Sequence, residues 1–138
     1  MDADAPYVCV FDLETQEKID DMVGKYREDR IRKLSISCGS ALCIPSELCL
    51  NPANAERALE MATMKTFWVD EEGPTSLKAM TELIGGAELN VAYNGISFDF
   101  LVIEKYFNDR ALNRQMRMRQ LDVFARVRDV TGSWCVCV

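Results

Sequence analysis

The chain reads as an α/β fold: a mixed sheet that opens with a three-strand meander, continues with parallel strands, and carries flanking helices. Three observations predict it. Short apolar runs at 7–11, 34–44 and 66–69 come first, with turn signals between them. After residue 74, helical and strand patterns alternate, an order that sets parallel strands beside the meander. The 138 residues, 49% of them hydrophobic, suffice for one core of ordinary size. The expectation is a single domain over residues 1–138.

Each element has its own justification. Tyr7-Val8-Cys9-Val10 leads into Phe11-Asp12-Leu13-Glu14-Thr15 as the first strand. Gln16 to Arg30 is polar, with Ile19, Met22, Val23 and Tyr26 at near-helical spacing. It reads as a short helix or a long ordered loop, with Gly24 weighing against the helix. Lys33 to Ile44 alternates apolar residues at Leu34, Ile36 and Cys38 and again at Leu42 and Ile44, which predicts a strand with a bulge or turn at Gly39-Ser40. Asn51-Pro52 marks a turn, and Ala53 to Met64 is rich in helix formers, so Pro45 to Met64 reads as an insertion between strands. Thr66 to Val69 is the third strand, ahead of the turn at Glu72-Gly73-Pro74.

Thr75 or Ser76 caps a helix that runs to Ile84, buries Leu77, Met80, Leu83 and Ile84, and ends at Gly85-Gly86. A strand over 89–93 follows. A helix from Phe98 to about Phe107, a strand near Met118 to Leu121 and a helix from Asp122 to Val130 complete the order.

The chemistry concentrates at the end of the first strand. Successive strand residues face opposite sides, so Asp12 and Glu14 share one face. Two carboxylates held that close repel, and a hard divalent cation with oxygen ligands relieves them. Asp99, in the first turn of the helix after the strand at 89–93, joins them if those two strands are parallel neighbours, because ligands collect at the C-terminal ends of strands in such sheets. Taken singly, each has a bland reading: Asp12 ends a strand, Glu14 faces solvent, and Asp99 favours a helix N-terminus. Gly95 supplies a backbone conformation or a close approach that a side chain would block, and Asn94 hydrogen-bonds that turn or faces a substrate.

The segments Val10-Phe11-Asp12-Leu13-Glu14-Thr15 and Asn94-Gly95-Ile96-Ser97-Phe98-Asp99 resemble the first two motifs of the DEDD 3′-5′ exonuclease superfamily, DnaQ-like enzymes with a ribonuclease H-like fold. With Gln16, Val23-Gly24 and Leu121-Asp122-Val123-Phe124, the chain looks closest to the YprB-like branch. The resemblance implies that Asp12, Glu14 and Asp99 are catalytic metal ligands and that Thr15 and Asn94 meet the substrate. It implies two Mg²⁺ or Mn²⁺ ions about 4 Å apart. It also implies a nucleic-acid partner offering single-stranded 3′ ends, with DNA and RNA both open.

The family's third motif brings a fourth Asp and a nearby His or Tyr. Neither is found here: the later acids Asp109, Asp122 and Asp129 lie in no such segment, and the chain has no His. The resemblance fades after about residue 132, so the reading is a domain truncated at its C-terminus. The second metal site then lacks a ligand, and exonuclease activity is impaired. Two alternatives stay open: a catalytically inactive ribonuclease H-like module that binds nucleic acid or protein, and a related enzyme that cuts internally.

Composition narrows the rest. Sixteen basic against 22 acidic residues give a net charge of −6, which argues against holding nucleic acid by charge alone. The balance is uneven: from Lys105 to Arg128 the basic residues include Arg110, Arg114, Arg117, Arg119 and Arg126, against Asp109 and Asp122. That stretch either contacts phosphates or forms a solvated face. The acidic start Met1-Asp2-Ala3-Asp4 is no secretory leader, and no apolar run approaches the roughly 18 residues of a membrane span. The expectation is an intracellular protein, cytoplasmic or nuclear, without membrane contact; its oligomeric state stays open. Cys9, Cys38, Cys43, Cys49, Cys135 and Cys137 then read as thiols, small buried hydrophobes rather than zinc ligands.

Overall fold

The computed structural model describes residues 5–132. Five strands form one mixed sheet: β1 (Tyr7–Thr15), β2 (Ile36–Pro45), β3 (Thr63–Trp68), β4 (Leu89–Ala92) and β5 (Gln120–Asp122). Their order is β3-β2-β1-β4-β5. The β1–β2 and β2–β3 pairs are antiparallel, whereas β4 lies parallel to both β1 and β5. This is the ribonuclease H-like arrangement, a meander followed by parallel strands.

Seven helices accompany the sheet among the described residues: α1 (Arg27–Ile31), α2 (Ser46–Cys49), α3 (Ala55–Met61), α4 (Leu77–Gly86), α5 (Asp99–Ile103), α6 (Arg110–Met118) and α7 (Val123–Thr131). Cys9, Phe11 and Leu13 alternate inward along β1. Across β2 their partners are Cys43, Ala41 and Gly39, also buried. Met80 and Ile84 of α4, Phe100 and Ile103 of α5 and Met116 of α6 cover this face and form the core. Phe11 and Phe100 meet edge to face at 5.4 Å. The Tyr7 hydroxyl donates to the Leu83 carbonyl at 2.6 Å and clamps β1 to α4.

Several elements differ from the sequence reading, each for a physical reason. β2 runs unbroken through Gly39-Ser40, and its expected bulge lies nearer its start, where Glu14 and Thr15 pair with Cys38 and Ile36 and leave Ser37 as the extra residue. Gly39 is there for closeness, not for a turn: a Cβ on it would sit 2.5 Å from the Met80 sulfur and 3.0 Å from Leu13 Cδ2. Gln16 to Arg30 resolves into a 3₁₀ turn at Ile19–Asp21 and the short α1. The 45–64 segment is two short helices joined by a 3₁₀ turn at Pro52–Asn54, and β3 starts at Thr63, three residues earlier than its apolar run.

Ser76, not Thr75, caps α4, accepting from the Ala79 N–H at 3.2 Å, and the helix continues through Gly86. The helix expected over 98–107 ends at Ile103 in a 3₁₀ turn. Its successor α6 was absent from the sequence reading, although Asp109 caps it by accepting from the Ala111 and Leu112 N–H groups. No helix among the described residues is long and apolar enough to cross a membrane.

Candidate active site

Alternation along β1 decides the first part of the site. With Cys9, Phe11 and Leu13 turned into the core, Asp12 and Glu14 project together from the opposite face and are exposed. Asp12 lies opposite Ser40 of β2 and two residues beyond Val10, the last β1 position paired with β4. The carboxylates therefore stand at the C-terminal edge of two adjacent parallel strands.

The second part is built by the turn after β4. Asn94 takes a left-handed conformation (φ 57°), which Asn tolerates better than most residues, and a 3₁₀ turn follows at Gly95–Ser97. Gly95 is required by packing, since a Cβ there would lie 2.6 Å from Ala92 Cβ and 2.7 Å from the Phe100 ring. The turn delivers Asp99 as the first residue of α5, 3% exposed, where its Oδ1 accepts the Leu13 N–H at 3.1 Å. That bond pins Asp99 to β1 at Leu13, the residue between Asp12 and Glu14. Burial pushes the Asp99 carboxyl up to about 7; the negative charge of Asp12 adds to this, the Leu13 N–H opposes it, and Asp122 adds a smaller push upward.

Asp122 is the residue whose role the sequence reading missed. It is 5% exposed and ends β5, and its carboxylate ties the Asn94 turn to α7. Oδ1 accepts the Asn94 N–H at 2.9 Å and the Ala125 N–H at 3.2 Å; Oδ2 accepts the Ile96 N–H at 3.1 Å. An Asp just before an apolar helical run signals the cap. Nothing local signals its hold on a turn 26 to 28 residues away.

Not every expected partner converges. Asp12 and Asp99 are electrostatic neighbours, but among the described residues no group of three His, Cys, Asp or Glu side chains is placed to hold a metal ion. Same-face positions on a strand are about 6.6 Å apart along its axis, two rises of about 3.3 Å, and Asp99 is held by backbone between them. The donor chemistry of Asp12 and Asp99 fits one hard divalent cation, because burial and then the charge of Asp12 make a second carboxylate charge at Asp99 costly. Glu14 does not complete a three-ligand set.

The Thr15 hydroxyl donates to the Glu17 carbonyl at 3.0 Å, and the Asn94 side chain is half-buried. Tyr93, just before the Asn94 turn, is 54% exposed and packs edge to face on Phe124 at 5.5 Å. With Val10, Asp12, Ser40, Leu42 and Met64 it lines an open trough of about 440 Å³. Cys9, Cys38, Cys43 and Cys49 are free thiols, while Cys135 and Cys137 lie outside the described residues.

No protein-family model and no curated protein matches this chain. Among solved structures it is similar to one described as "Exonuclease I (apo)", with a TM-score of 0.51 at 12% identity over 90% of this chain and 30% of that one. A structure of exonuclease I in complex with the inhibitor BCBP gives a TM-score of 0.49 at 13% identity, with the same coverage. The chain thus spans about 30% of the length of these proteins. The first likeness shows the fold: a ribonuclease H-like α/β sheet of the kind found in a nuclease.

Proposed function

We propose that the chain is a single ribonuclease H-like domain carrying a metal-dependent phosphodiesterase site of the 3′-5′ exonuclease type, on the DEDD pattern of the YprB-like branch, with low activity. The observation that carries this reading is Asp99, buried against β1 and raised by Asp12 at the C-terminal edge of two parallel strands. Asp12 and Asp99 are the residues that would hold Mg²⁺ or Mn²⁺, with Glu14 on the same face of β1, and nucleic-acid 3′ ends are the substrate, DNA or RNA. When bound, such an ion supplies positive charge to the scissile phosphate and makes water a better nucleophile.

The protein's own part is positional. Asp12 and Asp99 set where a cation and the phosphate meet, and the trough beside Asp12 takes the terminal sugar and base, with the exposed Tyr93 ring as a stacking surface. In hydrolysis the water oxygen bonds to phosphorus, the P–O3′ bond breaks, and the leaving 3′ oxygen takes a proton. A general base would speed this by orders of magnitude. The chain has no His to serve as one, and Asp122 is committed to three backbone amides.

A second reading, an inactive binding module on the same fold, is favoured by the incomplete ligand set. End-labelled single strands with free or blocked 3′ ends, incubated with Mn²⁺, separate the two. The exonuclease reading expects slow shortening from free ends only, lost in Asp12→Asn and Asp99→Asn. Binding without any cleavage would establish the module, and cleavage of blocked strands an internal cutter.

A further inference from the structure

We propose that Arg27, Arg32, Lys105, Arg117, Arg114 and Arg110 form one track for the phosphodiester backbone of single-stranded nucleic acid, leading to the Asp12–Asp99 site. The substrate class rests on the function proposed above; the track rests on its own geometry. It begins at the turn that leads into α5, where the Arg27 guanidinium donates to the Ser97 carbonyl at 3.4 Å, two residues before Asp99. It continues past α1, which packs on α5, to Arg32.

Arg32 and Arg117 both pair with Glu104, whose side chain is only 15% exposed, so one largely buried acid fixes two guanidinium groups side by side. These three, with Leu101, Lys105 and Asn113, line a surface hollow of about 200 Å³. The next hollow, about 240 Å³, shares Arg117 and Asn113 and adds Arg110 and Arg114. All six cationic residues are exposed.

Glu104 offsets Arg32 and Arg117, but the α6 row as a whole is costly without a further anion. Arg110, Arg114 and Arg117 fall at i, i+4 and i+7 on α6, a helix without a single acid, and like charges at that spacing destabilise a helix. The chain as a whole is acidic, so gathering cations on one face runs against its composition. Arginine is also the side chain whose planar donors match phosphate oxygens, and a linear succession of them suits a repeating backbone better than a single anion.

Fluorescence anisotropy of the full chain with labelled single-stranded DNA and RNA, in EDTA and across a salt series, tests the track apart from catalysis. Wild type is expected to bind single strands in EDTA, without any cleavage. Arg110→Ala/Arg114→Ala should bind on the order of tenfold more weakly and lower the slope of log K against log salt by about 1.4, two contacts at about 0.7 each. The charge-matched control Arg57→Ala/Lys78→Ala should behave as wild type. Absence of binding by wild type, equal loss in the control, or tighter binding of an acidic polypeptide than of either oligonucleotide would overturn the track. Failure of the exonuclease reading would show separately, as binding without cleavage in Mn²⁺.

Discussion

At the scale of single residues, Asp99 gives the sharpest consequence. Its folded value of about 7 lies above its ordinary 3.8, so the folded chain holds this proton more tightly than the unfolded chain. The sign follows: stability is greatest at low pH for this group, falls as pH rises from about 3.8 to about 7, and levels beyond. With no His in the chain, no other side chain has its ordinary value between pH 5 and pH 8. Unfolding free energies from urea curves at pH 5 and pH 8 should differ by at most about 3 kcal/mol at about 1.4 kcal/mol per unit, with pH 8 the weaker. Asp99→Asn should flatten the difference, and an unchanged slope in that variant would assign the pH dependence elsewhere.

Asp122→Ala makes a second residue-scale test, because it leaves the Asn94 and Ile96 amides without their acceptor. A loss of about 2–4 kcal/mol in unfolding free energy is expected, and a loss below about 0.5 kcal/mol would mean that water replaces the carboxylate. The pairing of Asp12 with Glu14 on one face was legible from alternation alone. The bonds of Asp122 to the Asn94 turn were not, since they join segments that only the folded sheet brings together.

At the scale of elements, local signals located most strands and misplaced most helix ends. Alternating apolar residues mark β1 and β2 because one face of each is buried, whereas β3 exposes every residue except Phe67 and left little pattern to read. The helix α6 was missed because Met116 is its one fully buried residue and its arginines read as a charge run. Its cap was nevertheless written in the sequence. Asp109→Ala should lower stability by about 1 kcal/mol, measured by thermal or urea unfolding, and no change would mean that α6 forms without its cap.

Gly39 shows the opposite error, a turn residue inferred where the sheet needs a missing side chain. Gly39→Ala would push a methyl group into Met80 and Leu13, and a cost of about 1–3 kcal/mol is expected. A neutral effect would show that the flexible Met80 side chain moves aside.

At the scale of the molecule, the sheet is asymmetric, and the asymmetry places the chemistry. One face carries α4, α5, α6 and the main core cluster; the other presents Val10, Asp12, Leu42 and Met64 along an open trough. The fold class was readable because order and periodicity together admit few topologies. The metal set was only half readable, since a motif names ligands but side-chain placement decides whether they meet.

The direct test of the central claim, that Asp12 and Asp99 form a divalent-cation site, is thermal unfolding at pH 8 with and without Mn²⁺. The ion should raise the melting temperature of the wild-type chain by relieving the two carboxylates, and should do nothing for Asp12→Asn or Asp99→Asn. An unchanged wild-type melting temperature, or an equal rise in all three proteins, would contradict it.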